Sequence, residues 1–98
     1  MTRLPVEIHP EAEAEARDAR LWYAVRDPRS ATQFMEALDS AIAWVAEHPN
    51  LWPPYLHGTR RVLTKRYPFA IIYRVLVDRV LIVAVAHQHR RPDYWHVR

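Results

Sequence analysis

The chain has 98 residues, half of them hydrophobic, and no cysteine; this fits one domain, 1–98, with a single core, and excludes disulfides, thiolate nucleophiles and cysteine zinc sites. No apolar span reaches 18 residues and no signal-peptide pattern follows Met1, so a soluble, cytoplasmic protein without a membrane partner is expected. The net charge of +3 hides an asymmetry: residues 1–49 carry five arginines against nine carboxylates, a balance of −4, whereas residues 50–98 carry nine Lys or Arg against two Asp, a balance of +7.

A short strand comes first, Leu4 to His9, with Val6 and Ile8 alternating with Glu7. Pro10 fits the first turn of a helix, and Glu11, Glu13 and Glu15 lie where the helix dipole favours carboxylates. Ala12, Ala16, Ala19 and Tyr23 recur on one helical face, which predicts a helix to about Arg26 with a small apolar stripe suited to close packing. A second helix is announced by Asp27-Pro28 or by the capping box Ser30-Ala31-Thr32-Gln33. Ala31, Phe34, Met35, Leu38, Ala41, Ile42 and Val45 form its stripe, and Pro49 prevents continuation.

The proline-rich segment from Pro49 to Gly58 reads as an ordered connection packed down by its aromatics. Three consecutive antiparallel strands follow, Arg60 to Lys65, Phe69 to Val77 and Arg79 to His87, with a reversal at Val77-Asp78. Because Val80–Ala86 is apolar on both faces, the last strand should be the buried centre of the sheet. The expected fold is α+β, in the order β-α-α-β-β-β, with the helical hairpin covering one sheet face.

The basic half is the candidate binding half. Thirteen of the fourteen basic residues are arginine, whose planar fork suits phosphate or carboxylate. Arg60, Arg61, Lys65 and Arg66 surround one strand and could line phosphates, although an exposed edge strand also uses charge to deter aggregation. Arg74 is either an anion ligand on the sheet face or a strand-end arginine reaching solvent or a helix carboxylate. His87 and His89, two apart, project to the same side if the strand persists, as an acid–base or metal pair would; His87 reads equally as a buried, hydrogen-bonded strand-end histidine. Zinc normally takes three protein ligands and only His96 is ready as a third, so no metal site is assigned. Tyr94 and Trp95 could stack on bases, but aromatics after Pro92 more often fold back on a small core. No phosphate loop, Ser-His-Asp arrangement or carboxylate pair can be assembled, and no cofactor is expected.

The element order, Arg60-Arg61, the strand Tyr67-Pro68-Phe69-Ala70-Ile71-Ile72-Tyr73-Arg74 and the ending Ala86-His87-Gln88-His89-Arg90-Arg91-Pro92-Asp93-Tyr94-Trp95 resemble the RelE/ParE superfamily of bacterial toxins. The two strand-and-tail motifs look like its ParE-like, plasmid-stabilisation branch. The resemblance implies the toxin of a type II toxin–antitoxin pair, neutralised by a cognate antitoxin from the same operon and reaching operator DNA mainly through it. RelE-like members cleave messenger RNA on the ribosome, whereas ParE-like members inhibit DNA gyrase and are not nucleases. Aligned on the strand motif, Ala70 stands where RelE-like nucleases carry a catalytic arginine. His89 falls near the histidine of YoeB-like nucleases, and Tyr94 or Trp95 near the C-terminal tyrosine of RelE. Arg74 lies four residues along, about 13 Å at ~3.3 Å per residue, too far to replace an arginine at Ala70.

The resemblance therefore implies an inhibitory binder of an essential target, DNA gyrase first, growth arrest without turnover, and a contact surface of Arg60, Arg61, Lys65, Arg74, His87, His89, Arg90 and Arg91. The alternative is an mRNA endonuclease with His89 as acid or base and Arg74, Arg90 and Arg91 around the scissile phosphate.

Overall fold

Both helices begin on a proline, Pro10 and Pro28, at the position where the missing N–H costs no hydrogen bond. The computed structural model describes residues 3–98. In chain order it contains β1 (Val6–Ile8), α1 (Pro10–Arg26), α2 (Pro28–Glu47), a 3-10 turn (Leu56–Gly58), β2 (Arg60–Leu63), β3 (Phe69–Val75) and β4 (Val80–His87). His9 caps α1 through Nδ1, which accepts the Glu11 N–H at 3.1 Å. Asp27 caps α2 by accepting from the Arg29 N–H at 3.1 Å, so Asp27-Pro28 is the start signal used. Ser30 lies inside the helix, its hydroxyl 3.3 Å from the same carboxylate.

The sheet order is β1-β4-β3-β2. Strands β2, β3 and β4 form the expected antiparallel meander, and β1 lies parallel to β4 after the helical crossover. The apolar run Val80–Ala86 does occupy the centre, buried at every position but Leu81. The strands are shorter than their apolar patterns suggest. Thr64 leaves β2 because its hydroxyl donates to the carbonyls of Tyr67 and Phe69, at 3.2 and 2.9 Å. After Val75, a turn closed by the Leu76 N–H on the Arg79 carbonyl at 2.8 Å ends β3.

Two apolar layers result. On one face the α2 stripe, including Phe34, Leu38 and Val45, packs with Ile71, Tyr73 and Ile82, while the alanine face of α1 admits that helix close to β4. On the other face Ala70, Ile72, Val83, Ala84 and Ala86 are covered by Trp95, which is 1% exposed. Trp52 of the connection packs on Tyr73, with ring centroids 6.5 Å apart, and Tyr55 packs on Trp95 at 6.2 Å. Among the described residues no helix is long and apolar enough to cross a membrane.

The ladder between β3 and β4 has one irregularity. Ile72 pairs with Ala84 and Tyr73 with Ile82, so Val83 is an extra residue, a bulge in β4. The partnership of β1 with β4 ends at Ile8 and Ile82, which, among the described residues, leaves the outer edge of β4 without a strand neighbour from the bulge onward.

Candidate functional site

After His87 the chain turns back over the sheet through a series of short turns, in which the amides of Arg90, Tyr94, His96 and Arg98 bond carbonyls three residues earlier. Trp95 supplies the driving force, because full burial of so large a side chain removes the most apolar area available in the tail. Core locking, rather than base stacking, is thus the structural role of Trp95.

The end of the tail is fastened to α1. The Glu15 carboxylate accepts from the Tyr94 hydroxyl at 2.5 Å and from the Arg98 guanidinium at 2.8 and 3.1 Å. It also accepts the Val85 N–H at 3.1 Å, while Arg98 donates to the Val83 carbonyl at 3.1 Å. Glu15 and Arg98 together satisfy the β4 edge that β1 leaves unpaired, one as acceptor and one as donor. Burial, helped by the bond to Glu15, pushes the Tyr94 hydroxyl well above the usual tyrosine range. Burial alone would lower Arg98, and its hydrogen bond to Glu15 together with the attraction of the Glu15 charge and smaller contributions from Tyr94 and Glu11 turns this into a net rise. Arg98 therefore belongs to the scaffold, although the tail's sequence groups it with the exposed arginines.

On the face opposite the helices lies an open pocket of about 330 Å³. Ala70, Ile72 and Ala86 line it together with Tyr55, Tyr94 and Trp95, and Arg61, His87, Arg90 and Arg91 bring the charge. Arg61 stacks over the Tyr55 ring at 4.3 Å and Arg90 over the Tyr94 ring at 3.8 Å. Stacking engages the guanidinium plane and leaves the N–H edge able to donate to an anion. Arg91 is 77% exposed, and its Nε lies 3.6 Å from Asp93. His87, partly buried at the strand end, meets Phe69 edge-on at 5.1 Å.

The other expected residues are placed elsewhere. The guanidinium of Arg60 donates to the Trp52 carbonyl and that of Arg74 to the His57 carbonyl, so both brace the connection before β2. His57 and Gly58 have φ of 56° and 72°, and this left-handed pair makes the sharp turn for which the only glycine is used. Arg74 is consequently bound to a backbone carbonyl, and among the described residues no helix carboxylate pairs with it. Lys65, in the β2–β3 turn, lines a separate groove with α2. His89 follows the end of β4, so strand alternation does not align it with His87. A turn does so instead: the His89 N–H donates to His87 Nδ1 at 3.1 Å and the rings lie 5.1 Å apart. Among the described residues no group of three or more His, Asp or Glu is placed to hold a metal ion.

Sequence reasoning missed Glu15, which it assigned to the helix dipole. The available signal was its spacing: three residues after Ala12 and four before Ala19, Glu15 interrupts the apolar stripe of α1. Tyr55, which seats Arg61, and Asp93, which faces Arg91 and His57 at 3.6 Å each, were missed as well.

A family model described as ParE toxin of type II toxin-antitoxin system, parDE, matches residues 6–92. A solved structure described as "Chromosomal ParDE TA system from P. aeruginosa" superposes with a TM-score of 0.76 at 18% identity, covering 87% of this chain and 96% of that chain. At that identity the likeness shows the fold. No curated protein matches the chain.

Proposed function

Since the chain belongs to the ParE toxin family of type II toxin–antitoxin systems, with a cognate ParD antitoxin implied as partner, we propose that it arrests growth by binding an essential nucleic-acid-processing target, DNA gyrase first. The contact surface is the basic rim of the sheet-face pocket, formed by Arg61, His87, Arg90 and Arg91. Inhibition is by occupancy, without turnover.

The observation that carries this reading is the apolar character of the sheet residues between the charged groups of that pocket. Ala70, Ile72 and Ala86 line it, and a methyl group cannot stabilise charge developing on a transferring phosphate. Arginines around an apolar centre suit a protein partner that offers carboxylates or phosphates around an apolar contact.

The second reading, a ribosome-dependent mRNA endonuclease, draws on the contact between His87 and His89 beside Arg90 and Arg91. The engagement of Arg74 with the His57 carbonyl weighs against it, because that arginine is then not free for a phosphate. Purified protein is added separately to supercoiling gyrase and to translating ribosomes with a defined message. Inhibited supercoiling with intact message is expected; intact supercoiling at high toxin excess overturns the gyrase reading, and cut message establishes the nuclease.

A further inference from the structure

We propose that Glu15 is a positioning residue for the basic face: by fastening Tyr94 and Arg98 it fixes the ring on which Arg90 is seated. The inference rests on the reading of that face as the target-contacting surface, and it adds a residue of α1 that lies outside the rim itself.

The relay can be followed atom by atom. Glu15 lies on α1, held against β4 by the Val85 N–H at 3.1 Å. Its second oxygen accepts the Tyr94 hydroxyl at 2.5 Å. The Tyr94 ring then lies under two cations, the Arg90 guanidinium at 3.8 Å and that of Arg98 at 5.2 Å. Arg98 closes the loop by returning to Glu15 and to the Val83 carbonyl. Arg90 itself is exposed, and its stacking on Tyr94 is the contact that gives it a fixed place. A long, exposed arginine left unseated samples many rotamers and loses that freedom on binding, which lowers affinity. Seating it in advance removes this loss.

The β4 bulge explains why a carboxylate stands at this position. Past Ile82, among the described residues, no strand lies beside β4 on the side of β1, and Val83 and Val85 present a carbonyl and an amide to that side. A donor–acceptor pair of side chains closes the edge, and the same pair holds the tail. The scaffold and the binding rim are therefore coupled through one partly buried carboxylate.

The test compares Arg90→Ala, Glu15→Ala and the milder Tyr94→Phe, alone and with Arg90→Ala, in the full chain, with folding checked by circular dichroism. Potency is read as growth arrest per amount of induced protein, which does not presuppose gyrase. Arg90→Ala and Glu15→Ala are each expected to lose about tenfold and Tyr94→Phe about threefold, whereas neither Glu15→Ala nor Tyr94→Phe adds to the loss in the Arg90→Ala background. A purely structural role predicts additive losses, and that result overturns the proposal. So does full potency of both Glu15→Ala and Tyr94→Phe when Arg90→Ala is impaired. Where Glu15→Ala does not fold, the Tyr94→Phe cycle decides. If Arg90→Ala keeps full potency, or the native chain arrests nothing, the reading of the basic face fails; the positioning is then decided by nuclear magnetic resonance. Ring-current shifts of the Arg90 side-chain protons are expected in the native chain and lost in Tyr94→Phe or Glu15→Ala; shifts that persist in both variants overturn it.

Discussion

Glu15 and Arg98, 83 positions apart in the chain, meet through two hydrogen bonds of 2.8 and 3.1 Å with only 15% and 12% of their side chains exposed. A charged pair this largely shielded is costly to break, because removing one partner leaves the other with little solvent to replace it. Arg98→Ala is expected to lower stability by roughly 3 kcal/mol, with Glu15→Ala at least as severe since the Val85 amide and Tyr94 hydroxyl also lose their acceptor. Urea denaturation of the single and double variants measures the coupling. Additivity of the two losses would show that the pair contributes nothing as a pair.

Trp95 holds the other end of the same tail. Its truncation to alanine opens a cavity beneath Ala70, Ile72 and Ala86 and is expected to cost about 3–5 kcal/mol, a large share of the stability of a domain this size. Trp95→Phe should retain most of the fold. Thermal unfolding checks both, and a Trp95→Ala variant melting with the native chain would contradict the core role.

Much of this architecture could be read from the residues. Proline placement, the α2 stripe and the doubly apolar Val80–Ala86 run depend on local periodicity, and local periodicity survives into the fold. The site was legible only in part. Arg61, which the sequence groups with Arg60, Lys65 and Arg66, instead lines one pocket with His87, Arg90 and Arg91 of the tail, while Arg60, Arg74 and Arg98 are bound to the protein itself. Charge alone cannot separate these groups. An arginine that braces a carbonyl and one that faces solvent have the same sequence signature, and the difference is set by a left-handed turn at His57-Gly58 and a bulge at Val83, neither of which follows from periodicity.

That division of the arginines is itself testable. Arg61→Ala and Arg91→Ala should leave stability within about 0.5 kcal/mol of the native chain, as surface substitutions do, while weakening target inhibition by about tenfold. Arg60→Ala and Arg74→Ala should do the reverse, each costing about 1 kcal/mol through the lost carbonyl bond with little direct effect on the target. Parallel melting curves and inhibition titrations separate the two groups. Equal inhibition losses for Arg74→Ala and Arg61→Ala would return Arg74 to the contact surface.

Alkaline pH tests the tail lock from another direction. The Tyr94 hydroxyl, raised in the folded chain mainly by burial and then by its bond to Glu15, stays protonated at a pH where the unfolded chain ionises near the ordinary value of 10.0. The unfolded state then binds fewer protons than the folded one, so stability falls as pH rises. The contribution is complete below about pH 10 and is lost as pH rises from there through the folded value. Tyr23 and Tyr73 are also raised by burial and act with the same sign. Denaturant midpoints measured between pH 8 and 11 should therefore decline above about pH 10 in the native chain, and less steeply in Tyr94→Phe, which keeps the ring and has no proton to lose. Equal slopes in the two proteins would mean that the hydroxyl of Tyr94 is not shielded in the folded chain, by burial or by Glu15, and would contradict the tail lock.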